Sequence, residues 1–302
     1  MSIIEDKQRI ETAVSDIKTQ IINKGVNVPE GTRIDGIPSL ISSIPSGGDD
    51  ESLKGIIDRS ITSVTVPDGV TSIGKYAFAY SENLEEIKIP SSVNLINNNA
   101  FSNCKKLKTV DLPNGISKIY NGTFEQCISL ISIIFPESIT TIDSNAFYDC
   151  GNLIISELPE SITAISGHAF RGCNSLALKQ LPDGVKALNH YIFYNCDNLA
   201  LTKLPSMLTS LGPMTFSGCP KLAITEIPAG VNIIDVDTFA NCTGLTSITF
   251  KGTPTNRINA TAFKGCTNLT VINVPWSEGE VANAPWGAVN ATINYNYNET
   301  GV

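Results

Sequence analysis

Eight cysteines recur at one position of a repeating pattern, and thiols are the most reactive side chains that this sequence offers. Each cysteine follows a phenylalanine by three residues: Cys104, Cys127, Cys150, Cys173, Cys196, Cys219, Cys242 and Cys266. Equivalent residues on stacked coils would place their Cα atoms about 4.8 Å apart, within disulfide range, but parallel side chains keep the Cβ atoms too far apart for an unstrained bond. No CxxC pair or histidine cluster accompanies them, which argues against zinc. The spacing therefore predicts a buried ladder of free thiols.

The two histidines are the remaining candidates for acid–base chemistry. His168 and His190 lie two and three residues before a phenylalanine, at different places in their repeats. A nucleophile–base pair needs a histidine beside a Ser or Cys and held by a third group. The period predicts no such convergence, so we expect both histidines to face solvent.

Polar residues at one outward strand position form a line of candidate ligand contacts. They are Lys88, Asp111, Glu157, Gln180, Lys203 and Glu226. Glu157 and Glu226 would lie three coils apart, about 14 Å, beyond the separation of paired glycosidase acids. No phosphate-binding glycine loop, dinucleotide fingerprint or metal-binding loop is present. The sequence therefore predicts no enzyme, no cofactor and no metal, and it predicts binding through this face.

A 23-residue period positions all of these side chains. The step between successive phenylalanines is 23 residues seven times running and then 24 once, at Phe78, Phe101, Phe124, Phe147, Phe170, Phe193, Phe216, Phe239 and Phe263. Such a period is typical of a solenoid in which each coil packs on its neighbours. Apolar residues three apart over 100–107 predict one or two helical turns, and the alternation over 109–112 predicts a strand ended by Pro113. We predict an α/β solenoid of about nine coils with a parallel β-sheet.

Four central repeats place the middle apolar residue of the strand one position earlier. The shifted residues are Ile155, Leu178, Leu201 and Ile224. Two apolar residues separated by two polar ones cannot alternate on an ideal strand, which predicts a bulge. The shift creates either a re-registered core or an apolar patch for a partner. The first is favoured because exposed aliphatic ladders are rare on soluble proteins.

We predict three parts in the chain: residues 1–50, 51–275 and 276–302. In the first part, residues 2–24 predict an α-helix, and Pro45–Ser52 predicts a hinge. The heptad positions of this helix are Ile3, Ile10, Val14, Ile17 and Ile21. They are compatible with a homotrimeric coiled coil or with one amphipathic helix packed on its own chain. The second part is the solenoid with an N-terminal cap. The third is a C-terminal cap in which Trp276 and Trp286 cover the last coil or, less favoured, contact a ligand.

Charge and hydropathy exclude several classes of partner. The 302 residues carry a net charge of −8 and a pI near 4.9, which argues against nucleic acid and against anionic membrane surfaces. The sequence contains no run of eighteen apolar residues, so it predicts no membrane-spanning helix. The first residues lack the basic start and apolar core of a secretory signal, so we expect assembly in the cytoplasm.

The repeat resembles the BspA-like leucine-rich repeats of bacteria. The shared pattern is Ala/Thr-Phe-x-x-Cys-x-x-Leu-x-x-Ile/Val-x-Ile/Leu-Pro-x-x-Val/Ile-x-x-Ile, over residues 61 to about 275, with Ser81 in place of the first cysteine. The resemblance implies a right-handed solenoid and the role of a surface adhesin or recognition module. Residues 16–44 are also similar to the leader of phage or prophage tail-associated proteins, and residues 274–295 to C-terminal caps found with such repeats.

These resemblances favour a non-enzymatic recognition module carried on a phage or prophage tail particle. Its partners would be a bacterial cell-surface protein or glycan at the repeat face, and tail or baseplate proteins at the N-terminus. The alternatives are a secreted adhesin at the bacterial cell surface and an intracellular protein-binding scaffold.

Overall fold

The structure, a computed structural model, describes residues 61–253 and 257–298. The chain winds into a parallel-sheet β-solenoid of about ten turns. The predicted N-terminal helix, its heptad residues Ile3, Ile10, Val14, Ile17 and Ile21, and the boundary near residue 50 lie outside the described residues. The right-handed sense of the coil stays a prediction.

The coils contribute short strands to two ladders, and three central coils contribute to the second ladder only. The first ladder contains β1 (Ser63–Thr65), β3 (Glu86–Lys88), β5 (Thr109–Asp111), β7 (Ser132–Ile134), β12 (Glu226–Ile227), β14 (Ser247–Phe250), β16 (Val271–Asn273) and β17 (Thr292–Asn294). The second contains β2 (Ser72–Ile73), β4 (Leu95–Ile96), β6 (Lys118–Ile119), β8 (Thr141–Ile142), β9 (Ala164–Ile165), β10 (Ala187–Leu188), β11 (Ser210–Leu211), β13 (Ile233–Ile234) and β15 (Arg257–Ile258). Pairing is parallel and equivalent residues are partners, as in Val110 with Ile133.

The first ladder consists of two four-stranded sheets, β1-β3-β5-β7 and β12-β14-β16-β17. In β1, β3 and β5 the middle residue is buried and its two neighbours are exposed, as period-two alternation requires. The inner face therefore supplies the core, and the outer face presents one polar line to solvent.

A stack of phenylalanines and a row of cysteines fill the centre of every coil. From Phe78 to Phe263, neighbouring rings lie with centroids 5.1–5.7 Å apart and planes within 10° of parallel. Every thiol donates to the carbonyl oxygen of a phenylalanine one coil earlier, as Cys104 Sγ does to Phe78 O at 3.1 Å. All eight cysteines are free and buried. The predicted thiol ladder is confirmed.

The α/β class is wrong for the described residues, because 61–253 and 257–298 contain no helix. The predicted helical turns over 100–107 are successive tight turns, closed by the Cys104 N–H to the Phe101 carbonyl at 3.1 Å. Asn99 (φ 55°) and Asn103 (φ 61°) take the left-handed conformation on either side of Phe101, which breaks a helix. This left-handed conformation turns backbone N–H groups toward the next coil, where the Asn103 N–H donates a hydrogen bond to the Glu125 carbonyl at 2.7 Å.

The C-terminal residues close the array although the sequence period has ended. Trp276 and Trp286 are buried, and their ring centroids lie 5.1 and 6.0 Å from that of Phe250. The strand β17 then pairs with β16 and extends the ladder by one more strand. Both tryptophans therefore serve the core of the cap, and the alternative of exposed ligand contacts is wrong.

Candidate functional site

All six predicted contact residues are exposed: Lys88, Asp111, Glu157, Gln180, Lys203 and Glu226. Three of them, Lys88, Asp111 and Glu226, belong to strands of the first ladder, and the other three occupy the corresponding part of coils that have no strand there. We call this surface, including the coils without a strand, the outer face of the first ladder. Lys88 Nζ lies 3.8 Å from Glu86, and Glu226 lies 3.0 Å from Lys251 Nζ. Within the described residues no ion pair joins one of the six to another, so the structure arranges them as a line along the coils. Such a line suits an extended partner that touches several coils.

The four central repeats re-register their core. Ile155, Leu178, Leu201 and Ile224 are at most 5% exposed, so the re-registered core is confirmed and the apolar patch at these positions is wrong. The predicted bulge is wrong for three of the four repeats. A bulge requires a paired strand, and the coils over 153–158, 176–181 and 199–204 have no first-ladder strand.

The backbones of these irregular coils remain joined at an altered offset. The Ala177 N–H donates to the Ile155 carbonyl at 3.1 Å, a separation of 22 residues where the regular coils pair at 23. Two adjacent polar residues then face outward in each coil, as at Ser156 and Glu157.

A cleft of about 500 Å³ opens where the regular sheet stops at β7. Its lining consists of Ile133, Ile134, Phe135, Glu137, Glu157, Leu158, Pro159, Glu160, Gln180 and Pro182. Three carboxylates and no basic side chain line it, so its field favours a cationic group. Of the predicted contact residues, the cleft brings together Glu157 and Gln180.

Exposed isoleucines, of which Ile134 lines this cleft, were not predicted as a group. Four of the seven large exposed hydrophobic side chains among the described residues lie in two adjacent coils: Ile128, Ile131, Ile134 and Ile154. The backbones of Ile131 and Ile154 are joined by an N–H···O=C bond of 2.8 Å, so both belong to one surface. Comparing equivalent positions between coils, rather than following the strand pattern alone, would have found them.

The histidines lie together within a cluster of aromatic and charged side chains. His190 is exposed, as predicted, whereas His168 is half-buried and does not face solvent fully. The ring centroids of His168 and His190 are 5.0 Å apart, and the His168 ring stacks on Tyr191 at 4.8 Å. The Arg171 guanidinium lies 5.1–5.5 Å from three tyrosine rings, those of Tyr148, Tyr191 and Tyr194. Separation by 22 residues, one less than the period, is what places the two histidines side by side.

Burial lowers the pKa of His168, and the nearby His190 and Arg171 lower it further. Burial raises the pKa of Asp149, against the opposing charge of Arg171. All eight cysteines are free and buried in the core, so none offers an accessible thiol to this cluster. The cluster offers stacking surfaces and a cation, which suits binding.

Burial also defines what the thiols can do. It raises the pKa of Cys127 and of Cys219 to about 12, and that of Cys266 to about 11. A thiol with such a pKa is protonated at neutral pH and is neither a nucleophile nor a metal ligand. Within 61–253 and 257–298, no group of three or more His, Cys, Asp or Glu side chains is arranged to hold a metal ion. In the same ranges no helix has the length and apolarity needed to cross a membrane.

Stacked coils with one buried phenylalanine, one buried cysteine and a parallel ladder define a leucine-rich-repeat solenoid. The chain belongs to the family described as "BspA type Leucine rich repeat region", whose six copies match residues 57–177 and 178–284. No curated protein matches the chain.

Solved structures of bacterial leucine-rich-repeat proteins have a similar fold. One from Bacteroides ovatus ATCC 8483 is 26% identical, with a TM-score of 0.57 over 77% of this chain and 69% of that one. A "leucine rich cell surface protein" from Faecalibacterium prausnitzii A2-165 is 26% identical, with a TM-score of 0.50 over 80% of this chain and 75% of that one. A leucine-rich-repeat protein of T. pallidum is 36% identical, with a TM-score of 0.49 over 53% of this chain and 78% of that one.

Proposed function

We propose that the chain is a non-enzymatic recognition or adhesion module that binds a component of a bacterial cell surface through the outer face of its first ladder. One observation carries the proposal: the buried residues repeat from coil to coil, whereas the exposed residue at the equivalent outward position changes between Lys88, Asp111, Glu157 and Lys203. A solenoid can vary such residues without loss of its core, because each coil is stabilised by its neighbours.

The comparisons support binding at a cell surface in general terms. The family is one of leucine-rich repeats, and a similar solved structure is described as a cell-surface protein. The partner would be a surface protein or a glycan. Its contacts would be spread along the ladder, which is how the six exposed residues are arranged.

Binding of the labelled full chain to whole bacterial cells tests this function. The variant K88Q/E157Q/K203Q/E226Q removes two positive and two negative charges from the outer face and should keep the fold. We expect it to bind cells at least 10-fold more weakly. The matched control K186Q/K264Q/D68N/E278Q removes the same charges from exposed positions off this face and should bind normally. Unchanged binding by the first variant would contradict the proposal.

For the carrier we propose a phage or prophage tail particle, on the strength of the resemblance of residues 16–44 to tail-associated leaders. Residues 1–50 would attach to tail or baseplate proteins, with Ile3, Ile10, Val14, Ile17 and Ile21 in a homotrimeric seam. Immunoblotting of purified particles would detect the chain if the proposal is right. A chain found in the bacterial envelope and absent from particles would favour the secreted adhesin instead.

The trimer has its own test. Residues 1–52 fused to a monomeric carrier should sediment as a trimer. A monomer at high concentration would overturn the proposed seam.

A further inference from the structure

Three isoleucines occupy positions that the preceding coil fills with charged residues. The Phe101 coil (101–123) has Lys105, Lys108 and Asp111 where the Phe124 coil (124–146) has Ile128, Ile131 and Ile134, each 23 residues later. These isoleucines are 48%, 48% and 61% exposed, and Ile154 in the next coil is 56% exposed. We call these four residues the isoleucine patch.

The fold does not require apolar side chains at the positions of the isoleucine patch. In the preceding coil the same positions carry Lys105 and Lys108, whose ammonium groups lie 2.8 and 2.7 Å from Glu82 and Glu85. The backbone therefore accepts charged side chains there. A side chain that remains half exposed gains little from burial when the chain folds. Several exposed apolar side chains in two adjacent coils are of the kind that marks an interaction site.

The chemistry beside the isoleucine patch indicates what it binds. The cleft next to it presents Glu137, Glu157 and Glu160, and none of the three forms an ion pair within the described residues. A ligand that covers the isoleucines would bring its adjoining groups against these carboxylates. Complementarity then favours a ligand with apolar groups followed by cations.

The strand β7 indicates the shape of this ligand. It is the end strand of its four-stranded sheet, and the cleft opens against its residues Ile133 and Ile134. The next coil still packs beside β7, because the Ile154 N–H donates to the Ile131 carbonyl at 2.8 Å, so the ligand would lie across the outer face and not along a free edge. Neighbouring coils lie about 4.8 Å apart, and an extended segment laid across them could place its alternating side chains against the isoleucine patch and the carboxylates in turn.

We infer that the isoleucine patch and the adjoining acidic cleft bind an extended protein segment in which apolar residues alternate with Lys or Arg. The inference deepens the proposed function, because it names one site on the binding face and the chemistry of its partner. A second copy of this chain fits less well, since a protein of net charge −8 would set carboxylates against carboxylates.

Fluorescence anisotropy of the full chain with labelled peptides tests this inference. The probe is Gly-Ser-Leu-Lys-Val-Arg-Leu-Gly-Ser, compared with analogues in which Ser replaces the apolar residues or Glu replaces the cations. We expect saturable binding of the first peptide and at least 10-fold weaker binding of both analogues. Failure of the first peptide to bind would overturn the inference.

Variants then locate the site. We expect I128T/I131T/I134T to reduce affinity for the probe at least 10-fold; the variant I128K/I131K/I134D carries the residues of the preceding coil and serves if the first misfolds. E137Q/E157Q/E160Q should also weaken binding, whereas D68N/E278Q/E280Q, with the same change in charge at exposed positions off the binding face, should not. Equal losses in the two carboxylate variants would show non-specific attraction and overturn the inference, as would unchanged affinity of the threonine variant.

Two further outcomes are decisive. If sedimentation shows a dimer for the natural chain and a monomer for the threonine variant, a second copy occupies the isoleucine patch and the inference is wrong. If the threonine variant keeps full binding to whole cells while the peptides fail to bind, the inference fails and the proposed function stands.

Discussion

Removal of one ring from the phenylalanine stack should weaken the solenoid more than any other single truncation in the same coil. Phe170 lies in the middle of the stack and is fully buried. Its ring centroid is 5.3 Å from that of Phe147 and 5.7 Å from that of Phe193, with both neighbours nearly parallel. The substitution Phe170→Ala therefore removes two ring contacts and leaves a cavity between coils.

The size of the loss follows from these contacts. A buried Phe→Ala change costs about 3–5 kcal/mol, and the stacked neighbours on both sides place Phe170 near the upper end, about 5 kcal/mol. Phe135 provides the control, because it is half-buried and makes a single edge contact with Phe147 at 6.0 Å. The substitution Phe135→Ala should cost about 1 kcal/mol.

Equilibrium unfolding in urea, followed by circular dichroism, measures both losses in the full chain. Hydrogen exchange adds the location, and we expect lost protection in the coils on either side of Phe170, since each coil is stabilised by its neighbours. A cost below about 1 kcal/mol for Phe170→Ala, or equal costs for the two substitutions, would refute the claim that the stacked phenylalanine rings stabilise the solenoid.

Two further predictions concern titratable groups. None of the eight thiols should react with a disulfide reagent at pH 8 in the native chain and all eight should react in guanidinium, because burial raises the pKa of each; rapid reaction of a native thiol would contradict the buried ladder. Burial and nearby positive groups lower the pKa of His168, so the unfolded chain accepts a proton that the folded chain resists. Its contribution to the free energy of unfolding is full above pH of about 6.5 and is lost as the pH falls below it. We expect His168→Asn, which places there the residue found at Asn145, to flatten the decrease in Tm between pH 7 and pH 5; an unchanged slope would show that His168 does not cause it.

The core was predictable from the sequence because most of its residues repeat at fixed positions. A phenylalanine and a cysteine at fixed spacing, with apolar residues alternating around them, allow one arrangement of stacked coils. The re-registered core at Ile155 and Leu178 followed from the same argument, since soluble proteins rarely expose an aliphatic ladder.

The turns were not predictable from apolar spacing alone. Residues three apart share one face both in a helix and in a series of tight turns, so the positions of Phe101, Cys104 and Leu107 do not separate the two. The deciding feature is the left-handed backbone at Asn99 and Asn103, a conformation that asparagine adopts more readily than most residues. Asparagine at these repeat positions was the signal that could have indicated turns.

The proposed binding surface followed from the sequence only in part, because its residues vary. The line through Lys88, Glu157 and Glu226 followed from strand alternation. The isoleucine patch and the approach of His168 to His190 depend on comparisons between coils, across a 23-residue and a 22-residue separation respectively. A strand pattern read within one repeat does not contain that information.

Site-specific photo-cross-linking on whole cells tests the central claim most directly. Gln180, at the outer face of the first ladder, would be replaced by p-benzoylphenylalanine in one chain, and exposed Lys186, beside the second ladder, in another. The account predicts that irradiation joins the chain to a cell-surface component from position 180 and not from position 186. Cross-links from position 186 with none from position 180 would contradict it.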